Sequence, residues 1–286
     1  MGTDDLRSGN RNQSRVALRL VRRVVGGLAL AIALTTGGIV PATAVTNPPA
    51  GAGFDYQIGG SYQPAADVVI VDRDWHESPD PTRYSICYLN AFQAQPEELR
   101  WWRRRHGGLL LSRRGKLVID KVWNEALLDT STARKRRALV RIHRRALASC
   151  AVRGFQAVEL DNLDSYSRSA GALSVRANVT FAAMLTKVAH RYGLAVAQKN
   201  AVELGARGKR LAHFDFAIAE ECQRYDECDG YEAVYGTSFI EIEYSDSDST
   251  WFERACALRG ARISIVRRDR DLSQPGSPDY VNQRCL

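Results

Sequence analysis

Acidic side chains follow several short apolar segments, at the points where buried strands would end. Residues 157–160 lead into Asp161, Asn162 and Asp164, and residues 214–219 run directly into Glu220. The carboxyl ends of parallel strands share one edge of a sheet, where ligands bind. Two carboxyl groups there could hydrolyse a glycosidic bond, one as the acid and the other as the nucleophile or base.

Other predicted strand ends are polar too. Asp72 and Asp74 follow residues 68–71, Lys199 and Asn200 follow residues 195–198, and Glu243 lies in the acidic segment 239–243. An isolated Asp-Asn pair could merely cap a turn, because these side chains bond to nearby backbone. So many acidic strand ends exceed what capping needs, and we predict a ring of carboxylates suited to sugar hydroxyls or amines.

The same acids suggest a weaker alternative, a metal-dependent hydrolase. Asp72, Asp74 and Asp161 would suit Mg²⁺ or Ca²⁺, yet neither a His cluster nor a Ca²⁺ loop accompanies them. The sequence also has no G-x-G-x-x-G turn and no phosphate loop. We therefore predict that the protein uses no metal and no cofactor.

The composition is that of a globular protein, with 45% hydrophobic and 25% charged residues in a chain of 286. This length suffices for one large domain or two small ones. The net charge is +8, but residues 1–44 hold six Arg and two Asp, so the rest of the chain carries only +4. Because nucleic-acid binding usually requires a concentrated basic stripe, we predict no nucleic-acid partner. We expect a monomer.

Residues 1–44 have the pattern of a signal peptide. Arg15, Arg19, Arg22 and Arg23 precede the apolar run 24–34, and Ala42-Thr43-Ala44 fits a small-x-small cleavage site. The run has 11 residues, whereas a membrane span needs roughly 20. We predict cleavage near Ala44, only transient contact with a membrane and secretion, with a retained anchor extending through residues 35–40 as the alternative. Residues 45–53 are predicted to be a flexible leader.

Six cysteines lie in the predicted exported part, an even number that favours disulfides in an oxidising compartment. Cys222 and Cys228 could close one short loop, and Cys285 could tie the C-terminus to Cys256. Cys87 and Cys150 remain unassigned, since Cys87 lies in an apolar strand and could be a buried thiol.

The chain from residue 54 to 286 alternates strands with helices, which predicts a parallel sheet in one domain. Helical periodicity covers residues 133–150 and 174–192. About 242 residues follow the signal segment, close to the ~250 of a (β/α)8 TIM barrel; a doubly wound open sheet is the alternative. One of nine predicted strands must belong to an excursion between the third and fourth barrel strands. The nine strands are residues 56–58, 68–71, 84–89, a short piece within 117–128, 157–160, 195–198, 214–218, 239–243 and 262–266.

Arg-rich runs occur at residues 103–105, 113–114, 134–137 and 144–145. They could bind a cell-wall polymer. The apolar positions of the helix 133–150 instead direct its Arg side chains outward, so we interpret these runs as solvated faces of outer helices.

Several blocks resemble the endo-α-1,4-polygalactosaminidase family of glycoside hydrolases, family 114, over roughly residues 54–285. These blocks are GFQAVELDNLDSY, GLAVAQKN, FDFAIAEECQRYDEC and IEIEY. The resemblance implies a secreted β/α barrel with Asp161 and Glu220 as catalytic residues. It implies Asp72, Lys199, Asn200, Tyr225 and Glu243 as candidates for substrate binding, to which we add Asn162, Asp164 and Asp226 from the same acidic loops.

The resemblance implies an endo-acting hydrolase of an α-1,4-linked galactosamine-type polysaccharide, and the alternative is a carbohydrate-binding barrel without turnover. The chain departs from the family pattern at residues 88–93 and at Ala219, which precedes Glu220. These departures lie near the barrel mouth and affect the expected substrate more than the fold. We assign Glu220 as the acid because the segment before it is apolar, and Asp161 as the nucleophile or base held ionised by polar neighbours such as Lys199.

Overall fold

The computed structural model describes residues 45–285. In chain order the strands are β1 (Gly53–Tyr56), β2 (Val68–Asp74), β3 (Tyr84–Asn90), β4 (Gln93–Ala94), β5 (Ser112–Arg113), β6 (Lys116–Leu117), β7 (Ile119–Asp120), β8 (Glu125–Leu127), β9 (Ala157–Asp161), β10 (Ala195–Lys199), β11 (Phe216–Glu220), β12 (Phe239–Tyr244), β13 (Ser264–Arg268) and β14 (Asn282–Arg284). The helices are α1 (Leu99–His106), α2 (Ala133–Arg153), α3 (Ser165–Arg168), α4 (Val175–Arg191), α5 (Gly205–Ala212), α6 (Cys228–Tyr235) and α7 (Ser249–Arg259).

The main sheet is a nearly closed barrel, which confirms the predicted fold class. Eight parallel strands follow the order β1-β2-β3-β9-β10-β11-β12-β13, and β14 pairs antiparallel with β13. The helical layer is incomplete, because within the described chain the β1–β2 and β2–β3 connections are loops. The predicted excursion lies between β3 and β9, where β4 to β8 form two small antiparallel sheets and α1 follows β4 in the chain.

Two apolar cores hold the barrel together. Alternate side chains of the parallel strands point inward, where Phe54, Ile86 and Phe216 fill the barrel, and their neighbours point outward against the helices. Thr132 caps the start of α2 by accepting from the backbone N–H of Lys135. Gly154, at φ 98°, ends this helix in the left-handed conformation and turns the chain toward β9.

A buried arginine closes the barrel between its first and last parallel strands. Arg268, at the end of β13, is fully buried and donates to the Tyr56 carbonyl and to Asp55 Oδ1 at 3.2 Å, both on β1. Asn282 of β14 donates to the same Asp55 oxygen at 2.7 Å. Side-chain hydrogen bonds therefore join β1 to β13, the first and last of the eight parallel strands.

The predicted leader, residues 45–53, contacts the barrel. Pro48 is buried, Tyr84 donates its hydroxyl to the Thr46 carbonyl, and Asn47 donates to the Asp215 carbonyl at 3.2 Å. Tyr84 and Asp215 lie at or just before the starts of β3 and β11, so the leader covers the amino end of the barrel.

The predicted signal peptide lies outside the described residues. Among the helices of residues 45–285, none is both long enough and apolar enough to cross a membrane.

Three disulfides join the six cysteines. Cys222–Cys228 and Cys256–Cys285 confirm the predicted pairs. The expectation that Cys87 could be a buried thiol is wrong, because Cys87 pairs with Cys150. Cys87 faces outward on β3, against the buried face of α2 that carries Cys150.

The arginines of α2 are mostly solvated, as predicted. Arg134, Arg137, Arg141, Arg144 and Arg145 are exposed. Arg136 departs from the prediction that the Arg residues of the helix 133–150 face outward, because it is half-buried and donates to backbone carbonyls. Arg153, which lies beyond the predicted helix, is also half-buried and donates to backbone carbonyls.

Candidate active site

Three neighbouring strands deliver the principal polar groups to one end of the barrel. Asp161, Lys199 and Glu220 are the last residues of β9, β10 and β11, and each points inward because it continues the inward-facing alternation of its strand. The residue after each strand has positive φ: Asn162 at 63°, Asn200 at 48° and Glu221 at 55°. This conformation is uncommon outside glycine, and here it turns the chain sharply away from the barrel mouth.

Lys199 lies at the centre of the site and is almost fully buried. Its ammonium donates to Glu159 and, at 3.0 Å, to the Tyr56 hydroxyl. The same nitrogen lies 3.4 Å from Asp161 Oδ1 and 3.5 Å from Glu220 Oε2. Burial would lower the pKa of Lys199, but these three carboxylates outweigh burial and raise it well above the usual value. Lys199 is therefore charged, and it links both candidate catalytic groups.

Asp161 is held in its ionised form. Tyr88 donates its hydroxyl to Asp161 Oδ2 at 2.6 Å, and the Asn162 amide lies 3.4 Å from the same oxygen. Burial alone would raise the pKa of Asp161, but Lys199 and then Tyr88 outweigh it and lower the pKa below the usual value. An ionised carboxylate is the form needed for a nucleophile or base.

Glu220 has a different set of partners. Asn200 donates its amide to Glu220 Oε2 at 2.8 Å and accepts the Glu220 backbone N–H at 2.9 Å. The Tyr244 hydroxyl bonds to the other oxygen, Oε1. A hydroxyl can donate to an ionised carboxylate or accept from a protonated one, so these contacts accommodate both states of an acid catalyst. Phe216 and Ile218 lie deeper inside the barrel.

Asp72 lies inside the barrel rather than in its mouth. It is fully buried, and burial followed by the charge of Glu159 raises its pKa well above the usual value. Asp74 instead pairs with His76 at 2.7 Å. Asp72 and Asp74 do not line the pocket that contains Asp161, so the structure does not support a shared metal site for these three acids.

A pocket of about 430 Å³ opens over the strand ends. The excursion supplies Gln95, Glu97, Trp123 and Glu125 to its wall, and the segment after β13 supplies Arg270 and Asp271. Six carboxylate side chains and three cationic ones line it, so the wall has an excess of acid. The carboxylate residues are Glu97, Glu125, Asp161, Asp164, Glu220 and Asp271, and the cationic residues are Arg168, Lys199 and Arg270.

The family assignment follows from comparison with known proteins. The sequence model of glycoside hydrolase family GH114 matches residues 38–286. The chain belongs to glycoside hydrolase family GH114. None of the curated protein sequences matches it.

Two solved structures are similar to this GH114 hydrolase. Ega3 of Aspergillus fumigatus, solved in complex with galactosamine, is 21% identical with a TM-score of 0.66, covering 85% of this chain and 98% of Ega3. The glycoside hydrolase domain of PelA from Pseudomonas aeruginosa is 16% identical with a TM-score of 0.53, covering 81% of this chain and 96% of that domain. At these identities the likeness concerns the fold.

Not all predicted substrate-binding residues reach the pocket of the GH114 barrel. The residues that line it are Asn162, Asp164, Lys199 and Asn200. Lys199 is too buried to bind substrate directly, and its contacts at the pocket are with the two acids, Asp161 and Glu220. Asp72 and Glu243 are buried elsewhere, and Tyr225 and Asp226 are exposed on the loop after β11.

Glu243 illustrates why the sequence alone misplaced a residue. It points outward from β12, where the Gln223 backbone N–H donates to it at 3.0 Å. Burial, followed by the charge of Glu241, raises the pKa of Glu243 to about 8. Side chains alternate along a strand, so Tyr244 reaches the site and Glu243 does not. Apolar residues lie on both faces of β12, with Ile240 and Ile242 inward and Phe239 outward, so hydrophobicity did not show which face enters the site.

Sequence reasoning also missed Tyr88, Glu125 and Arg270. Tyr88 belongs to the stretch that departs from the family pattern, and it reaches Asp161 from β3. Arg270 lies 3.9 Å from the centre of the Tyr244 ring and bonds to Glu221 at 3.0 Å. Glu125 comes from the excursion, whose placement over the barrel mouth has no local sequence signal.

Glu125 is a nearly buried carboxyl beside Asp161. The Asn90 amide donates to Glu125 Oε2 at 2.8 Å, and the Asn162 amide lies 3.3 Å from that oxygen. Burial is the largest influence on Glu125 and, with the nearby charge of Asp161, raises its pKa to about 7. The folded protein therefore binds a proton at Glu125 that the unfolded chain releases near pH 4.3.

This proton should make stability depend on pH. Because the folded state binds the proton more tightly than the unfolded state, Glu125 contributes to the free energy of unfolding. This stabilising contribution is complete below about pH 4.3 and is lost as pH rises through about 7. We expect Glu125→Gln to be more stable than wild type at pH 8, by roughly 2 kcal/mol, and similar at pH 4.5. Urea unfolding at the two pH values measures this difference. Glu97→Gln, at an exposed position of the same excursion, is the matched control, and equal stability of Glu125→Gln and wild type at pH 8 would contradict the raised pKa.

Proposed function

We propose that this GH114 hydrolase is a secreted, endo-acting enzyme that cleaves an α-1,4-linked galactosamine-type polysaccharide with two carboxylates, Asp161 and Glu220. Family membership supports glycoside hydrolysis. The acid-rich pocket wall supports a polymer that carries ammonium groups, because opposite charges attract most strongly where water is partly excluded. The galactosamine bound in the Ega3 structure agrees with that substrate class.

The observation that carries the proposal is the shared contact of Asp161 and Glu220 with Lys199. The three residues end adjacent strands, and the ammonium lies 3.4 Å and 3.5 Å from the two carboxylates. Asp161, with its lowered pKa, serves as the nucleophile. Glu220 serves as the acid that protonates the leaving oxygen, and then as the base that activates water.

The neighbouring groups support this division of roles. Tyr88 and Lys199 stabilise negative charge on Asp161, and Asn200 orients the Glu220 carboxyl through two hydrogen bonds. The Tyr244 hydroxyl can accept a hydrogen bond from the protonated Glu220 carboxyl before proton transfer. After the transfer it can donate a hydrogen bond to the ionised Glu220 carboxylate. Burial raises the pKa of both tyrosines well above the usual value, so their hydroxyls remain protonated during the reaction.

Substitution of either carboxyl group should abolish turnover. We expect Asp161→Asn and Glu220→Gln each to lower the rate of polymer cleavage by about 10³-fold or more, because both roles need an ionisable carboxyl. The measurement is the release of reducing ends from partially deacetylated galactosamine polymer. Asp229→Asn, an exposed substitution on α6, is the matched control and should keep wild-type activity.

Two outcomes would oppose the mechanism. Near-wild-type turnover in either variant would contradict the assigned roles. Polymer binding by the wild type without new reducing ends would favour the alternative, a binding barrel. An added chelator should leave cleavage unchanged if the two carboxylates suffice.

The spacing of the two acids predicts the stereochemical outcome. Since both contact the same Lys199 nitrogen, Asp161 Oδ1 and Glu220 Oε2 can be at most about 6.9 Å apart. Retaining enzymes separate their carboxyl groups by about 5–5.5 Å and inverting ones by about 6.5–9.5 Å, so nearly all of the inverting range is too long. We expect the first product to retain the α configuration, as read by proton NMR during early hydrolysis. A β-configured first product would show inversion and would remove the nucleophile role from Asp161.

We further propose that the enzyme acts outside the cell. Three disulfides suit an oxidising compartment, and residues 1–44 carry the pattern of a cleaved signal. N-terminal sequencing of protein recovered from the medium should begin at or near Val45. Recovery of protein that still contains Arg22 would contradict cleavage at this place.

A further inference from the structure

A second cavity lies beside the pocket and takes no part in the chemistry described above. It has a volume of about 730 Å³, larger than the 430 Å³ of the pocket over the strand ends. It lies between α1 and α2 and is bounded by Trp75, which follows β2. Ligand sites in proteins are concave, mostly apolar and of this size.

The wall of this cavity is aromatic and apolar. Trp101 and Trp102 of α1 meet edge to face, with ring centres 5.1 Å apart. Trp102 is buried, whereas Trp101 remains 44% exposed although it is one of the largest apolar side chains. Leu109 and Ile142 add aliphatic surface. Such flat aromatic faces can pack against the C–H faces of sugar rings, since tryptophan combines a large apolar surface with one N–H donor.

The charge of the cavity differs from that of the catalytic pocket. Arg141 and Arg145 of α2 line it, and both are exposed. The pKa of His106, also in the wall, is lowered by burial and then by Arg105 and Arg145. Glu97 and Glu98 also line the cavity and offset Arg141 and Arg145, so its wall lacks the excess of acid by which the catalytic pocket attracts ammonium groups. An uncharged sugar therefore suits this cavity better than a cationic one.

The two spaces are contiguous. Gln95 and Glu97, on the segment between β4 and α1, line both of them. A polymer held for cleavage in the middle of its chain must extend beyond the catalytic pocket, and the path past these two residues leads to the tryptophan-lined cavity.

We propose that this cavity is an extended subsite for N-acetylated amino-sugar residues of the same polymer whose cationic residues occupy the catalytic pocket. The proposal rests on the proposed function. The apolar floor accommodates the methyl group of an acetamide, and the aromatic rings pack against the pyranose. The enzyme would thus prefer partially N-acetylated chains, with charged and uncharged residues sorted between two chemically different sites.

The test compares two α-1,4-galactosamine oligomers of equal length, one fully deacetylated and one about half N-acetylated. In Trp101→Ala we expect KM for the half-acetylated oligomer to rise about three- to tenfold with kcat unchanged, and KM for the deacetylated oligomer to change less than about twofold. Tyr192→Ala, which removes an exposed aromatic side chain at the end of α4, is the matched control and should change neither value. Ala138→Phe, which fills the cavity while keeping every tryptophan, should reproduce the effect of Trp101→Ala.

The outcomes separate this proposal from the proposed function. If Trp101→Ala and Ala138→Phe leave both KM values at wild-type levels, or raise both equally, the cavity does not select N-acetylated residues. If the wild type cleaves neither oligomer, the proposed function fails. In that case the affinity for the half-acetylated oligomer, measured by calorimetry, tests the proposed subsite independently of cleavage. Weaker binding to Trp101→Ala than to wild type then supports the subsite, and equal binding overturns it.

Discussion

The contacts of the buried Lys199 ammonium are the interactions on which the candidate active site depends. An isolated charge inside a protein is costly, and it persists only where opposite charges and hydrogen bonds surround it. Glu159 and Tyr56 hold the ammonium from inside the barrel, and Asp161 and Glu220 hold it from the mouth. Because one nitrogen contacts both acids, the separation of the acids is set by the barrel strands and not by a mobile loop. Such placement on rigid strands is what the proposed two-carboxylate mechanism requires.

A second buried cation gives the barrel its closure. Arg268 joins β13 to β1 through Asp55 and the Tyr56 carbonyl, at the point where the order of paired strands ends. Tyr56 takes part in both sets of hydrogen bonds. Its backbone carbonyl accepts from Arg268, and its side-chain hydroxyl accepts from the Lys199 ammonium. One residue of β1 therefore contacts both the arginine that closes the barrel and the lysine at the centre of the site.

The excursion between β3 and β9 supplies several of the side chains that line the barrel mouth. It brings Glu125 to Asn162, and it places Gln95 and Glu97 between the acidic pocket and the tryptophan-lined cavity. The stretch that departs from the family pattern lies at its base, where Tyr88 and Asn90 contact Asp161 and Glu125. Ala219, the other departure, faces the helices and not the pocket. The departures from the family pattern that contact pocket residues therefore lie at the base of the excursion, and not on the strand that carries Glu220.

The sequence by itself determined the barrel, its excursion, two disulfides and the strand ends that carry Asp161 and Glu220, because apolar segments with polar ends are local patterns. It did not determine which face of β12 looks inward. Both faces of a parallel strand are buried, so Glu243 and Tyr244 could not be distinguished by hydrophobicity alone. Only the tertiary structure decided that Cys87 meets Cys150, that Glu125 lies beside Asp161, and that one lysine spans both acids. These contacts join residues between 21 and 63 positions apart, and such long-range contacts leave no periodicity in a single sequence.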